Sequence, residues 1–204
     1  MAPTQRFSAE VRRRQILDAA GALVLAQGYL PLSLEALAAR VGVSKGLIYG
    51  HFPAQADLFN QLVAEEEEAL AAAGLAAAMA HDDLMAAALA SADIYLRHVA
   101  IRGPLAHFIL RDVYMSGRFA PDVLRGRDRF LRGFGRRARR ALKLPAREAL
   151  AVVLLIQAIP EEMGRLVWQE DIPLERGLDL ARQLVTSAIE ALQSGGQAPS
   201  TDPR

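Results

Sequence analysis

The chain has 204 residues, 52% of them hydrophobic but only 6% aromatic, and no strand-like alternation of any length, which excludes a β-rich fold and points to an all-α protein with an adequate core. With no cysteine, disulfides and thiolate metal sites are excluded; with no signal-peptide core and no run approaching about 20 apolar residues, a soluble cytoplasmic protein without a membrane partner is expected. The net charge of +1 conceals an asymmetry, since residues 94–144 hold 13 Lys/Arg against 3 Asp/Glu while residues 65–93 hold 7 acids and no base, so any nucleic-acid contact must be local.

Residues 1–7 read as a flexible arm, in which Arg6 could touch a phosphate. Ser8 caps a helix running to about Gln27 and closed by Gly28. Its buried stripe is Ile16, Ala19, Ala20, Leu23 and Val24; Arg12, Arg13 and Arg14 form a basic band, either a track along a DNA backbone or a solvated face. Residues 33–52 then read as helix, tight turn, helix. Ser33 caps the first helix, Leu34, Leu37, Ala38 and Val41 make its apolar face, Gly42 stops it, and Ser44 caps the second. At about 100° per residue, Ile48 and Phe52 turn inward on the second helix. Gly46 and Gly50 fall on the outward face beside Lys45, Leu47 and Tyr49, so the backbone there can press close to a DNA groove.

This stretch resembles the operator-binding segment of the TetR family of bacterial repressors, through Ser33, Leu37-Ala38, Gly42-Val43-Ser44, Ile48-Tyr49, His51-Phe52 and Leu58-Phe59. The resemblance covers residues 8–62, and beyond them only length and helical pattern agree. Leu47 and Gly50 depart from the family's usual residues, and Gln55 stands where the family often has a phosphate-binding lysine, which implies one fewer charge contact per subunit. The resemblance implies that Ser33, Ser44, Tyr49 and His51 contact phosphates. Lys45, Leu47 and Tyr49 are the candidates for base edges, Lys45 reaching guanine and Leu47 a thymine methyl, with Gly46 and Gly50 permitting close approach.

Beyond the second helix, Pro53 is expected to open a helix that continues through Glu65–Glu68, read as a solvated bend, to about Ala80. His81-Asp82-Asp83 reads as a cap rather than a metal site. Helices follow at about 83–101, 105–116, 121–143, 147–169 and from 173, giving about nine in all. Ser91 can bond back to its preceding turn. On the helix at 121–143, Arg125, Arg129, Arg132, Arg136 and Arg140 share an exposed face, while Arg127 and Arg137 fall in the apolar stripe of Val123, Phe130, Phe134, Ala138 and Ala141. An inward arginine must be paired or reach solvent, as a structural ion pair, as a snorkelling stem, or as the anchor of a ligand's acidic group. Pro160 should interrupt the next helix. The candidate effector site is therefore Tyr95, His98, Phe108, Arg111, Tyr114, Arg127, Glu161 and Trp168, for an effector with an apolar body and one acidic group.

The expected organisation is an arm at 1–7, a helix-turn-helix DNA-binding domain at 8–52, a helical effector-binding and dimerisation domain at 53–193 and a disordered tail at 194–204. The function expected is a homodimeric, ligand-responsive transcriptional repressor, partnered by a roughly palindromic double-stranded DNA operator and a small-molecule effector. A single short helix contacts few base pairs, so two heads on two half-sites are needed. The apolar helices at 147–169 and from 173 are available for the dimer interface; much of the wide stripe of the last helix should remain exposed in a monomer, and Val185 is placed in the interface. The competing readings are a helical ligand-binding dimer that does not bind DNA, and an enzyme. Against the enzyme, the chain has no Gly-rich phosphate loop, no metal-spaced His/Glu pair and no nucleophile motif; neither a cofactor nor a metal is implied.

Overall fold

In the computed structural model, residues 8–195 are described; the arm expected at 1–7, Arg6 included, and all but the first two residues of the tail expected at 194–204 lie outside them. The described residues form ten α-helices and no strand: α1 Ala9–Gln27, α2 Leu34–Val41, α3 Lys45–His51, α4 Gln55–Ala72, α5 Leu75–Ala78, α6 Leu84–Arg102, α7 Leu105–Arg111, α8 Pro121–Leu142, α9 Ala146–Trp168 and α10 Leu174–Gly195. A 3-10 turn, Val113–Met115, follows α7. The caps act as the sequence leads one to expect. The hydroxyls of Ser8, Ser33 and Ser44 accept from the N–H groups of Val11, Ala36 and Leu47, and Gly28 and Gly42 close their helices at φ 75° and 72°.

The chain divides into two compact units. The head comprises the chain through Glu66 together with Leu105–Val123. Its core gathers Ile16, Leu17, Val24, Leu37, Ile48, Phe52 and Phe59, and the returning segment adds Leu105, Ile109 and Met115. The body comprises Glu67–Pro104 and the chain from Leu124 onward. There α6 packs on α9 and α10. The α6–α9 approach depends on Gly164, where a Cβ would lie 2.7 Å from the Val99 Cβ and 3.1 Å from the Leu96 carbonyl oxygen. Arg182 of α10 pairs with Asp93 of α6. By length and composition α6 could cross a membrane, yet 44% of its apolar window is buried within the protein and it carries the paired Asp93.

Several expectations are corrected. The helix starting near Pro53 does not reach Ala80: α4 ends at Ala72, Gly74 takes φ 94°, and the short α5 follows. Alanine carries no directional signal to mark that break, and the glycine alone supplies the left-handed residue. Glu65–Glu68 is helical rather than a solvated bend, and Glu66 is only 2% exposed. The segment at 105–116 is split by Asp112, whose extended backbone ends α7 and whose carboxylate caps the 3-10 turn. The helix α9 runs unbroken through Pro160. The Ser91 hydroxyl is buried without a hydrogen-bond partner among the described residues, so it does not bond back to its own helix. On α10, Val185 and Ile189 are fully buried in the body's own core, not left on an open stripe.

Candidate nucleic-acid interface

The head presents α3 on a rigid base. Ile48 and Phe52 anchor its inner side in the core, and the Arg13 guanidinium lies over the Phe52 ring, 4.8 Å from its centre. Lys45, Leu47 and Tyr49 are exposed, together with Ser44, Gly46 and Gly50. A Cβ built on Gly50 would meet nothing within 4 Å, and one on Gly46 only the Ser44 hydroxyl at 3.8 Å. The glycines therefore leave this face flat, and no packing within the head requires them. His51, at the last turn of α3, is half-buried. Ser33 sits exposed at the start of α2, where its hydroxyl also donates to the Glu35 carboxylate at 3.3 Å.

Two groups are already engaged. The Lys45 ammonium lies 2.5 Å from the Glu35 carboxylate. Hydrogen bonding and charge attraction within this exposed pair hold the Glu35 carboxyl below the ordinary carboxylate range and lift Lys45 above the ordinary lysine one. Lys45 must exchange Glu35 for any base or phosphate. The basic band of α1 is similarly occupied: Arg14 bridges Asp18 at 2.9 Å and Glu65 at 2.7 Å, and Arg12 donates to Gln15. Gln55 does not face outward as a phosphate ligand would. Its Nε2 donates to the Leu32 carbonyl and its Oε1 accepts from the Leu32 N–H, both at 3.0 Å. Sequence reasoning flagged position 55 for what it lacks and missed this role, for which the sequence carries no signal, since both partners are backbone groups 23 residues away.

The residues expected to line an effector cavity are not all brought together. Phe108 and Tyr114 pack against the head core, with Tyr114 edge-on to Phe59, and Arg111 is exposed on α7. Tyr95 and His98 of α6 and Glu161 and Trp168 of α9 belong to the body, where the Tyr95 hydroxyl lies 3.4 Å from the Glu161 carboxylate. Arg127, expected to turn inward, is exposed on α8; its long stem carries the charge into water, so it needs no buried counter-ion. Arg137 is half-buried, with its guanidinium 5.9 Å from the centre of the Phe134 ring.

A family model described as bacterial regulatory proteins, tetR family, matches residues 16–62, from the second half of α1 to the first half of α4. Among solved structures, the chain is similar to a TetR-like transcriptional regulator from Rhodococcus sp. RHA1, at 21% identity and TM-score 0.67 over 91% of this chain and 99% of that one. It is similar to the TetR family transcriptional regulator PfmR from Thermus thermophilus, at 20% identity and TM-score 0.63 over 86% and 97%. The fatty acid degradation regulator FadR from Bacillus halodurans aligns at 17% identity and TM-score 0.57 over 92% and 97%. No curated protein sequence matches the chain.

Proposed function

We propose that the chain, whose residues 16–62 match the tetR family model, is a DNA-binding transcriptional regulator rather than an enzyme, and that it works as a homodimeric repressor released from its operator by a small molecule. The observation that carries the reading is the outer face of α3: two open glycines flanked by exposed Lys45, Leu47 and Tyr49, on a helix anchored by Ile48 and Phe52. In this reading Lys45, Leu47 and Tyr49 meet base edges, while Ser33, Ser44, Tyr49 and His51 take phosphates.

In this reading the head, from residue 8 through Glu66 with Leu105–Val123, reads DNA, the body holds the effector and the dimer contact, and the protein acts in the cytoplasm. Exposed leucines on α9 and α10 support the dimer, because a roughly palindromic operator requires two heads. Tyr95, His98, Glu161 and Trp168 are the polar and aromatic groups of the body that support an effector site between α6 and α9. Effector binding shifts the dimer between two states, only one of which fits the operator. The test is a gel shift on DNA flanking the protein's own gene. The parent should retard it and Tyr49→Ala should not; equal retardation by both would remove α3 as the reader.

A further inference from the structure

We propose that Gln55 is a positioning residue for DNA reading: its carboxamide locks the loop that feeds the helix-turn-helix, where a phosphate contact would otherwise stand. The proposal rests on α3 being the reader. Among the described residues, Tyr29–Leu32 make no backbone-to-backbone hydrogen bond. Side chains hold this loop instead. The Leu30 N–H donates to Asp112 at 2.8 Å, and Gln27 Nε2 donates to the carbonyls of Tyr29 at 2.6 Å and Pro31 at 3.4 Å. Gln55 takes both polar groups of Leu32. Two bonds from one planar amide fix the orientation of Leu32 as well as its distance.

Leu32 is buried and directly precedes Ser33, which caps α2. From α2 only Gly42-Val43-Ser44 separate the reading helix, so the lock sets where α2 begins and with it how α3 is presented. The chemistry makes the two roles of position 55 exclusive. A lysine has three donors and no acceptor, so it would leave the buried Leu32 N–H without its partner. A phosphate contact at 55 would have to draw the side chain away from Leu32.

The experiment uses the full chain, the operator fragment that it retards, and a random duplex. Gln55→Leu should weaken operator binding by about tenfold, the loss of one base contact. Its affinity for random duplex, and its salt dependence, should stay at the parent's values. Amide exchange should accelerate at Leu32 and stay slow at Leu30, which Asp112 holds. Gln55→Lys should show the same loss of Leu32 protection and weaker operator binding despite its added charge. Equal weakening on operator and random duplex would make Gln55 a phosphate contact and overturn the proposal. So would tighter operator binding by Gln55→Lys with Leu32 protection intact, or parent-like operator binding by Gln55→Leu. If Gln55→Leu fails to fold, Gln55→Ala, which also removes both bonds to Leu32 without adding charge, carries the same comparison. Tyr49→Ala is run alongside: its binding the operator as the parent does would locate the failure in α3 as the reader, not in Gln55.

Discussion

Replacing Leu155 by Glu should separate the proposed dimer without disturbing the protomer. In the single chain Leu155 is 71% exposed, with Leu154 at 43%, Leu150 at 38% and Leu184 at 50%. Together these leave about two whole leucine side chains in water per protomer, worth roughly 3–6 kcal/mol if covered, and twice that across a symmetric pair. Association itself costs roughly 4–15 kcal/mol, so the contact has little to spare. Losing the exposed part of Leu155 withdraws about 1–2 kcal/mol from each side. The pair then binds roughly 30- to 700-fold more weakly, before the added carboxylates are counted. Sedimentation across a concentration series should show the dissociation midpoint rise by at least that factor. Thermal unfolding of the monomer should be nearly unchanged, since the side chain already faces water. A variant that sediments like the parent would refute the placing of this face in the interface.

Val185→Asp should behave in the opposite way. It puts a carboxylate into a fully buried core position, so the body should lose several kcal/mol and melt well below the parent at any protein concentration. Gly164→Ala should lower the melting temperature of the body as well, since its methyl group would meet Val99 at 2.7 Å and overpacking of this kind costs about 1–3 kcal/mol. Lys45→Ala should weaken operator binding and relax preference at one base position per half-site, read by a panel of single-base operator variants; a uniform loss with a shallower salt dependence would assign Lys45 to phosphate. Glu35→Gln should tighten operator binding by releasing Lys45, checked by the same titration. The Lys45–Glu35 pair should also contribute evenly to head stability across neutral pH. Its lowered carboxyl loses the contribution only as pH falls through the folded-state value, and its raised ammonium only as pH rises through its own, so pH melts of parent and Glu35→Gln should differ by a constant amount between those limits.

The head was legible because its signals are local. Ser33, Gly42 and Ser44 act on the residues beside them, and Ile48 and Phe52 share one side of a short helix, so spacing alone locates them. Gln55 was not legible, because its partner lies 23 residues away and is backbone, which carries no side-chain signature. Arg127 misled because a helical projection assigns a face but does not show how wide the covered stripe is at each turn. Val185 misled for the related reason that an apolar stripe does not say whether its partner is this chain or a second copy. Here α10 spends that residue on its own body, and the leucine beside it, Leu184, is the one left in water.

The head is built from two stretches of chain that are far apart in order of synthesis. Residues through Glu66 emerge first, and Leu105, Ile109 and Met115 arrive only after Glu67–Pro104 have been made. On the ribosome the reading helix therefore exists for tens of residues with its core unfinished, at about 5–20 residues per second. A nascent chain cut short before residue 123 lacks part of what seals Ile16, Phe59 and their neighbours. A fragment ending at Glu66 lacks Leu105, Ile109 and Met115 from the core beneath its helices, so it should hold its reading helix less firmly than the whole chain does.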